Sequence, residues 1–455
     1  MIKVLSCLLF YISVITQSSM AGELDEHLQV KRVGGLKKIL KDRYFRVLTS
    51  KNSFDYFIYK GKAKGIQYEM AKLFTEKLNR KFSTKHKKLN IVFEMIPVEY
   101  DHLIPMLLEG KGDIIATGLT ETEKRKKVVS FSIPYRRVDE VVVTRAENLK
   151  EGWAGQRYSV RESSSYYESL LKKKKVIEVE TVHDALHDET IMELISHGVF
   201  DYTLSDSYLA EIAVKTYSDL VILKDRPFGR DVNISWVVRK EDKKLLSEIN
   251  RFIPKIRKGS LLGNLLDRKY FKDLKRIRSK DFNLKQSKLS KYDNHFKKYA
   301  KLYGFDWRLI AALCYQESEF NPLAFNKSGA IGLMQIKQTT ANENYVNISS
   351  IKGKKNIENN IHAGVKYLSW IKRTYFDQHD DILEDDRIRL SIAAYNAGPG
   401  RVQTAIKKTK RKRRNPKKWF REVEISMLEM GHYEPIKYVS EVNKRYVSYR
   451  LLGIK

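Results

Sequence analysis

The sequence predicts two units of different fold class in one chain: an α/β unit over residues 40–271 and an all-α unit over residues 292–455, joined by a linker over 272–291. Three observations predict this. At 455 residues the chain is too long for a single hydrophobic core, since such cores stop growing at about 250–300 residues. Up to Phe271 short apolar runs alternate with amphipathic stretches, the pattern of strands interleaved with helices. Beyond Tyr292 helical periodicity dominates, in YDNHFKKYAKLYG, WRLIAALCYQES, IENNIHAGVKYLSWIKRTYF, DRIRLSIAAYNAG and YEPIKYVSEVNKRYVSYRLL.

Composition and the N-terminus narrow the functional classes. With 42% hydrophobic and 11% aromatic residues the chain is globular rather than disordered. Its 86 Lys and Arg against 55 Asp and Glu give a formal charge of +31, a field that favours nucleic acid, anionic lipid or a carboxylate-rich wall polymer. The opening MIKVLSCLLFYISVITQSSMAGE carries one early lysine, an apolar run from Val4 to Ile15 and small residues up to Ala21. That is the pattern of a cleavable secretory leader over 1–21. Export argues against nucleic acid as a partner. No later stretch approaches the roughly 20 apolar residues of a spanning helix, so the expected product is exported and soluble or peripheral. Cys7 falls in the leader, which leaves Cys314 as the sole mature cysteine, on the apolar face of a helix and expected to be a buried structural thiol.

In the α/β unit the expected strands are FRVLTS (45–50), NIVFEMIPV (90–98), GDIIATG (112–118), DEVVVTR (139–145), VIEV (176–179), YTLSD (202–206) and NISWVVR (233–239). Helical patterns lie between several of them, at 65–80 and 100–110. Such alternation predicts mainly parallel strands, with a ligand at their carboxyl ends. The segment KDLKRIRSKDFNLKQSKLSK (272–291) is basic, lacks long apolar runs and reads as the linker.

The chemistry concentrates in the all-α unit. Asp306 is an N-cap for a helix starting at Trp307, and Asn321-Pro322 is expected to end it. Glu317 then falls in the last turn, at the negative end of the helix dipole, where ionisation is disfavoured and apolar walls would raise its pKa toward neutrality. Glu319 lies about 200° further round and cannot face the same cleft, so this pair cannot make a two-carboxylate glycosidase site. SGAIGLMQ (328–335) follows, with glycines that permit tight turns, and AAYNAGPGRV (393–402) places Tyr395 and Asn396 at a helix end that Gly398 terminates.

In order and spacing, ESxxxP at 317–322, GLMQ at 332–335, AAYNAGPGRV at 393–402 and a late Tyr438-Val439 resemble the lytic transglycosylases with the goose-type-lysozyme-like fold. Glu434-Pro435 departs from the Glu-Thr often found before that last tyrosine. The resemblance implies cleavage of the β-1,4 bond between N-acetylmuramic acid and N-acetylglucosamine in peptidoglycan. Glu317 would protonate the glycosidic oxygen, the substrate's 2-acetamido group would meet the charge at the anomeric carbon, and Glu317 would then take the proton of the C6 hydroxyl as a 1,6-anhydro ring closes. It also implies that Ser318, Gln335, Tyr395 and Asn396 line the sugar cleft, with Met334 packed against a sugar face or in the core, while Tyr438 hydrogen-bonds Glu317. A lysozyme-type hydrolase is the nearest competing class, with Asp380, Asp381, Glu384, Asp385 and Asp386 available as a second carboxylate. A non-catalytic wall-binding or solute-binding protein is another.

The stretch GKGDIIATGLTETEKRKKVVSFSIPYRRVDEVVV (110–143), with GIQYEMAKLF and ISWVVR, resembles periplasmic solute-binding domains of the polar amino acid class. That implies two lobes joined by crossing strands near Val141–Thr144 and Ser235–Val238. It also implies Arg125, with Thr120 nearby, on a ligand carboxylate, Asp206 on its ammonium, and Tyr56 or Tyr59 stacked on it. A solute-binding unit followed by a transglycosylase unit is similar to the membrane-bound lytic murein transglycosylase F family. This implies a periplasmic enzyme peripheral to the outer membrane, whose first unit senses a muropeptide stem or amino acid. No cofactor and no metal site is expected. KKTKRKRRNPKKW (407–419) reads as a solvated insertion or as a patch for wall or lipid anions.

Overall fold

The computed structural model describes residues 30–451 apart from 51, 53, 60, 83–89, 152, 174, 185, 224–227 and 273–288. The expected leader and most of the linker lie outside these.

The α/β part folds as two lobes, each around its own sheet. In the first lobe the strands run Val92–Val98, Tyr44–Ser50, Ile114–Ile115, Val237–Arg239 and Val129–Phe131, the first three mutually parallel. In the second, Arg136–Arg145 pairs antiparallel with three neighbours, Tyr202–Asp206, Leu220–Leu223 and Gly229–Ile234, and only Tyr202–Asp206, Arg157–Arg161 and Glu178–Val182 run parallel. The sheets are therefore mixed rather than mainly parallel. The reason is topological, because the chain leaves and re-enters the first lobe and the returning strands must oppose the outgoing ones.

The crossings lie at 132–135 and 235–236, between Val129–Phe131 and Arg136–Arg145 and between Gly229–Ile234 and Val237–Arg239. The second was expected there, but Val141–Thr144 lies inside the second lobe and crosses nothing. NISWVVR is two strands for the same reason. Trp236 is fully buried at one crossing and donates to Gln67 Oε1 at 2.9 Å, and Gln67 Nε2 donates to the Tyr135 hydroxyl at the other crossing at 2.7 Å. One amide thus ties the two crossings to the long helix Ile66–Lys81.

The C-terminal part is helical, with main helices Asp293–Tyr303, Trp307–Ser318, Ile357–Tyr375, Glu384–Ala397, Pro399–Arg411 and Glu434–Leu451. Two-residue strands at Ala330–Ile331 and Ile336–Lys337 pair around the GLMQ loop. The helix Glu434–Leu451 runs from this unit onto the first lobe, where Val447 is buried in one apolar cluster with Leu48, Ile96 and Ile115. Burying such a side chain contributes about 1.5–3 kcal/mol. Alongside, the Tyr56 hydroxyl donates to Ser448 Oγ at 2.5 Å and the Tyr449 hydroxyl to the Gly61 carbonyl at 2.8 Å. Arg421 reaches the Asp42 carbonyl and pairs with its carboxylate at 3.4 Å.

Candidate active site and ligand cleft

Asp306 caps the helix Trp307–Ser318, its carboxylate accepting from the Arg308 backbone N–H at 2.9 Å. The helix stops at Ser318, before the Asn-Pro pair expected to end it. Glu319 and Phe320 both adopt left-handed backbone, at φ 50° and 64°, so the turn begins three residues ahead of Pro322. The reversal sends the Glu319 side chain out to Lys62 of the first lobe at 3.5 Å, 69% exposed. The two glutamates do not share a cleft, as the helical geometry requires.

Glu317 sits half-buried in the last helical turn. The Tyr438 hydroxyl donates to its Oε1. Burial pushes the carboxyl up to about 7 against the pull of that hydrogen bond, and the charge of Glu434 adds to the rise. Glu434-Pro435 opens the helix that carries Tyr438 one turn later, so the departure from Glu-Thr leaves the Tyr438 contact intact. Four of the five acids considered as a second carboxylate are engaged elsewhere. Asp381 pairs with Lys417, Glu384 with Lys372 at 3.0 Å, and Asp385 and Asp386 with Arg389 at 3.0 and 3.3 Å.

The GLMQ loop is drawn against Glu317 by its carbonyls. The Ser318 hydroxyl lies 2.8 Å from the Leu333 carbonyl, and the Tyr395 hydroxyl donates to the Met334 carbonyl at 2.8 Å. The Cys314 thiol, fully buried, donates to the Leu333 carbonyl at 3.4 Å. Burial raises the pKa of Tyr395, and the charge of Glu317 adds to the rise. Asn396 is half-buried in the same last turn. Gln335, at φ 45°, donates its amide to the Ala324 and Gly332 carbonyls at 3.1 and 2.9 Å.

Two of these side chains turn away from the cleft, and for Met334 this is the core alternative. Met334 does not present its side chain to a cleft: it is fully buried against Gly364, where a Cβ would meet the Met334 Cβ at 2.5 Å. The loop therefore lies on a helix face that only glycine leaves low enough. Ser318 turns its hydroxyl to the loop rather than outward. Asn360, which the sequence reading did not single out, holds the loop from the other side. Its Oδ1 accepts from the Met334 N–H at 2.9 Å and its Nδ2 donates to the Ile331 carbonyl at 2.9 Å. Asn360 and Gly364 are four apart on one helix face, a spacing that could have flagged them.

A second site lies between the lobes. A cleft of about 410 Å³, counting the open space at its mouth, is lined by Asp55, Tyr100, Thr117, Arg161, Asp188 and Asp206 among others. Asp206 is 3% exposed and its Oδ1 is buried without a hydrogen-bond partner. Burial, with the charges of Asp188 and Glu140, pushes its carboxyl up to about 8 against the hydrogen bond from Tyr166 and the charge of Arg136. Of the other expected ligand residues, none lines this cleft. Arg125 is buried and donates to the Thr120 and Ser163 carbonyls, both at 2.8 Å, so its fork bridges the lobes by backbone contacts. Thr120 contributes that carbonyl and a bridge to Ile234. Tyr56 is buried toward Ser448, and Tyr59 lies on the hairpin Phe57–Tyr59/Lys62–Lys64 with Lys64 over its ring. Asp55, Tyr100, Arg161 and Asp188 were missed. Asp55 follows the first strand at its carboxyl end, where the general rule for such sheets points.

Comparison with known proteins finds a family model over each unit. The family model for the transglycosylase SLT domain matches residues 294–418, and that for bacterial extracellular solute-binding proteins, family 3, matches residues 45–273. A protein of Desulfosudis oleivorans named membrane-bound lytic murein transglycosylase F is 32% identical over 399 residues, covering 84% of this chain and 82% of that one. The chain belongs to the membrane-bound lytic murein transglycosylase F family. A member from Pseudomonas putida is 30% identical over 445 residues, covering 92% of this chain and 87% of its own. The solved structure of holo ArgBP from T. maritima is 26% identical, with a TM-score of 0.42, covering 52% of this chain and 100% of that chain. Tyr438 lies beyond the residues that the SLT model matches, so its placement rests on the geometry alone.

Proposed function

We propose that this protein is a peptidoglycan lytic transglycosylase that cleaves the β-1,4 bond between N-acetylmuramic acid and N-acetylglucosamine and leaves a 1,6-anhydro product. The observation that carries the reading is Glu317, a single half-buried carboxyl poised near neutrality beside Tyr438. A group that must first give and then take a proton works best with a pKa near the working pH. In the first step Glu317 donates its proton to the glycosidic oxygen as the C1–O bond breaks, and the 2-acetamido oxygen bonds to C1. In the second the C6 hydroxyl attacks C1, its proton passes to Glu317, and the acetamido group is released. No water enters. Tyr438 holds the carboxylate between the steps, Tyr395 and Asn396 face the sugar, and Ser318, Asn360 and Met334 set the loop that carries Gln335.

The domain plan supporting this is a leader over 1–21, a solute-binding unit over 40–271, a linker over 272–291 and a catalytic unit over 292–455. The enzyme works at an envelope membrane, in the periplasm and peripheral to the outer membrane, with the cleft between the lobes taking an amino acid or muropeptide stem that modulates turnover. What supports modulation is one helix: Glu434–Leu451 carries Tyr438 at one end and, at the other, Ser448, which bonds Tyr56, the neighbour of cleft residue Asp55. Digestion of purified sacculi followed by mass spectrometry tests the reaction. Products lighter by one water than those of a muramidase are expected, and hydrated products would instead make the protein a water-using muramidase.

A further inference from the structure

The cleft between the lobes is charged in a way that a plain zwitterion does not match. Four carboxylic residues line it, Asp55, Asp188, Glu189 and Asp206, against one arginine, Arg161. Two buried polar atoms of opposite character stand unpartnered among them: Asp206 Oδ1, an acceptor, and Arg161 Nε, a donor, on side chains 3% and 4% exposed. Unpaired buried polar groups are costly and rare, and here a donor and an acceptor stand in one cavity, as the two ends of an amino acid would require. Arg161 is preorganised, with Asp188 Oδ1 at 2.6 Å and its guanidinium 4.7 Å from the Tyr100 ring centroid. Arg125 has its fork on two carbonyls instead.

Asp188 is paired with Arg161, whereas the donors gathered on Asp55 are neutral. On Asp55, Thr117 Oγ1 at 2.7 Å, Asn52 Nδ2 at 2.9 Å, Ser50 Oγ at 3.3 Å and the Gly118 N–H at 3.3 Å converge on Oδ2, all of them neutral donors. Burial raises the pKa of Asp188 against the charge of Arg161, with Asp55 adding to the rise, and burial raises that of Asp206 with Asp188 adding to it. The three aspartates therefore form a chain of mutually repelling groups across the cavity. A second positive charge on the ligand relieves that repulsion.

Building on the proposal that this cleft takes an amino acid, we infer that its ligand is an α-amino acid with a second cationic group, carboxylate on Arg161, α-ammonium on Asp206 and side-chain cation between Asp55 and Asp188. Tyr100 offers its face to the aliphatic stem.

Titration calorimetry on the full-length protein with three probes tests this: L-lysine, L-norleucine, which has the same carbon chain without the second cation, and cadaverine, which has both amines without the carboxylate. L-lysine should bind about ten- to a hundredfold more tightly than L-norleucine, the range a hydrogen bond to a charged group provides, and more tightly than cadaverine. Asp55→Asn, of the same shape, should bring L-lysine close to L-norleucine while leaving L-norleucine unchanged, and Asp188→Asn gives a second, independent reduction of the ratio. Equal binding of L-lysine and L-norleucine overturns the second-cation inference and leaves the amino-acid cleft standing. Failure of both to bind overturns the amino-acid cleft itself, and cadaverine binding as tightly as L-lysine overturns the role given to Arg161.

Discussion

Replacing Glu317 by Gln removes one proton site without changing the size of the side chain, and the structure gives the consequence a magnitude. Burial and Glu434 move this carboxyl from its ordinary 4.5 to about 7, against the Tyr438 hydrogen bond. At 1.36 kcal/mol per pH unit that corresponds to about 3 kcal/mol of folding free energy, reduced to about 2 kcal/mol for a group that solvent partly screens. The sign follows from the direction. A raised folded-state value gives stability that is complete below the unfolded value near 4.5 and is lost as pH rises through about 7. Glu317→Gln lacks that loss, so relative to wild type it should gain about 2 kcal/mol between pH 4 and pH 8, which is about 5 °C in the melting transition of a unit this size. Glu424, also pushed up to about 7 by burial, titrates in both proteins and cancels in the difference. Anhydro-muropeptide release should fall by about 10²–10⁴-fold or more, since one residue serves as acid and base. Thermal melts across pH and product release from sacculi read the two effects. Parallel melting curves for the two proteins, or wild-type-like release by the variant, would refute the reasoning.

Tyr438→Phe removes the donor that holds Glu317 ionised, so the alkaline limb of the pH profile of kcat/KM should move up by about one pH unit, given about 1.5–3 kcal/mol for a hydrogen bond to a charged group; an unmoved limb contradicts the assignment. Gly364→Ala places a Cβ against Met334 and should cost about 1–3 kcal/mol by overpacking, with a drop in kcat as the GLMQ loop lifts, read by melting and turnover. Tyr56→Phe breaks the bond to Ser448 and should leave basal turnover on sacculi unchanged while abolishing its response to a ligand of the lobe cleft. A response that persists in Tyr56→Phe excludes this route between the sites.

The order of motifs in the sequence was enough to mark Glu317, and helical geometry was enough to separate it from Glu319, because both depend on neighbours within a turn or two. The same holds for the Asp306 cap and for the strands Tyr44–Ser50 and Tyr202–Asp206, which are buried on both faces. Val129–Phe131, three residues long, carries too few residues for a period to register, and Arg157–Arg161 begins and ends on arginine, which hides its short apolar centre. Family resemblance placed Arg125 and Tyr56 at the ligand, and tertiary packing placed them elsewhere, one tying the lobes and the other meeting the C-terminal helix. The loop carbonyls that orient Ser318 and Tyr395, the Asn360 clamp, and the gathering of Asp55, Arg161, Asp188 and Asp206 from four separate segments arise from contacts between residues tens to hundreds of positions apart. Local periodicity and capping are written along the chain; a shifted pKa or a cavity's charge depends on which distant groups share one dry space, and only the folded arrangement decides that.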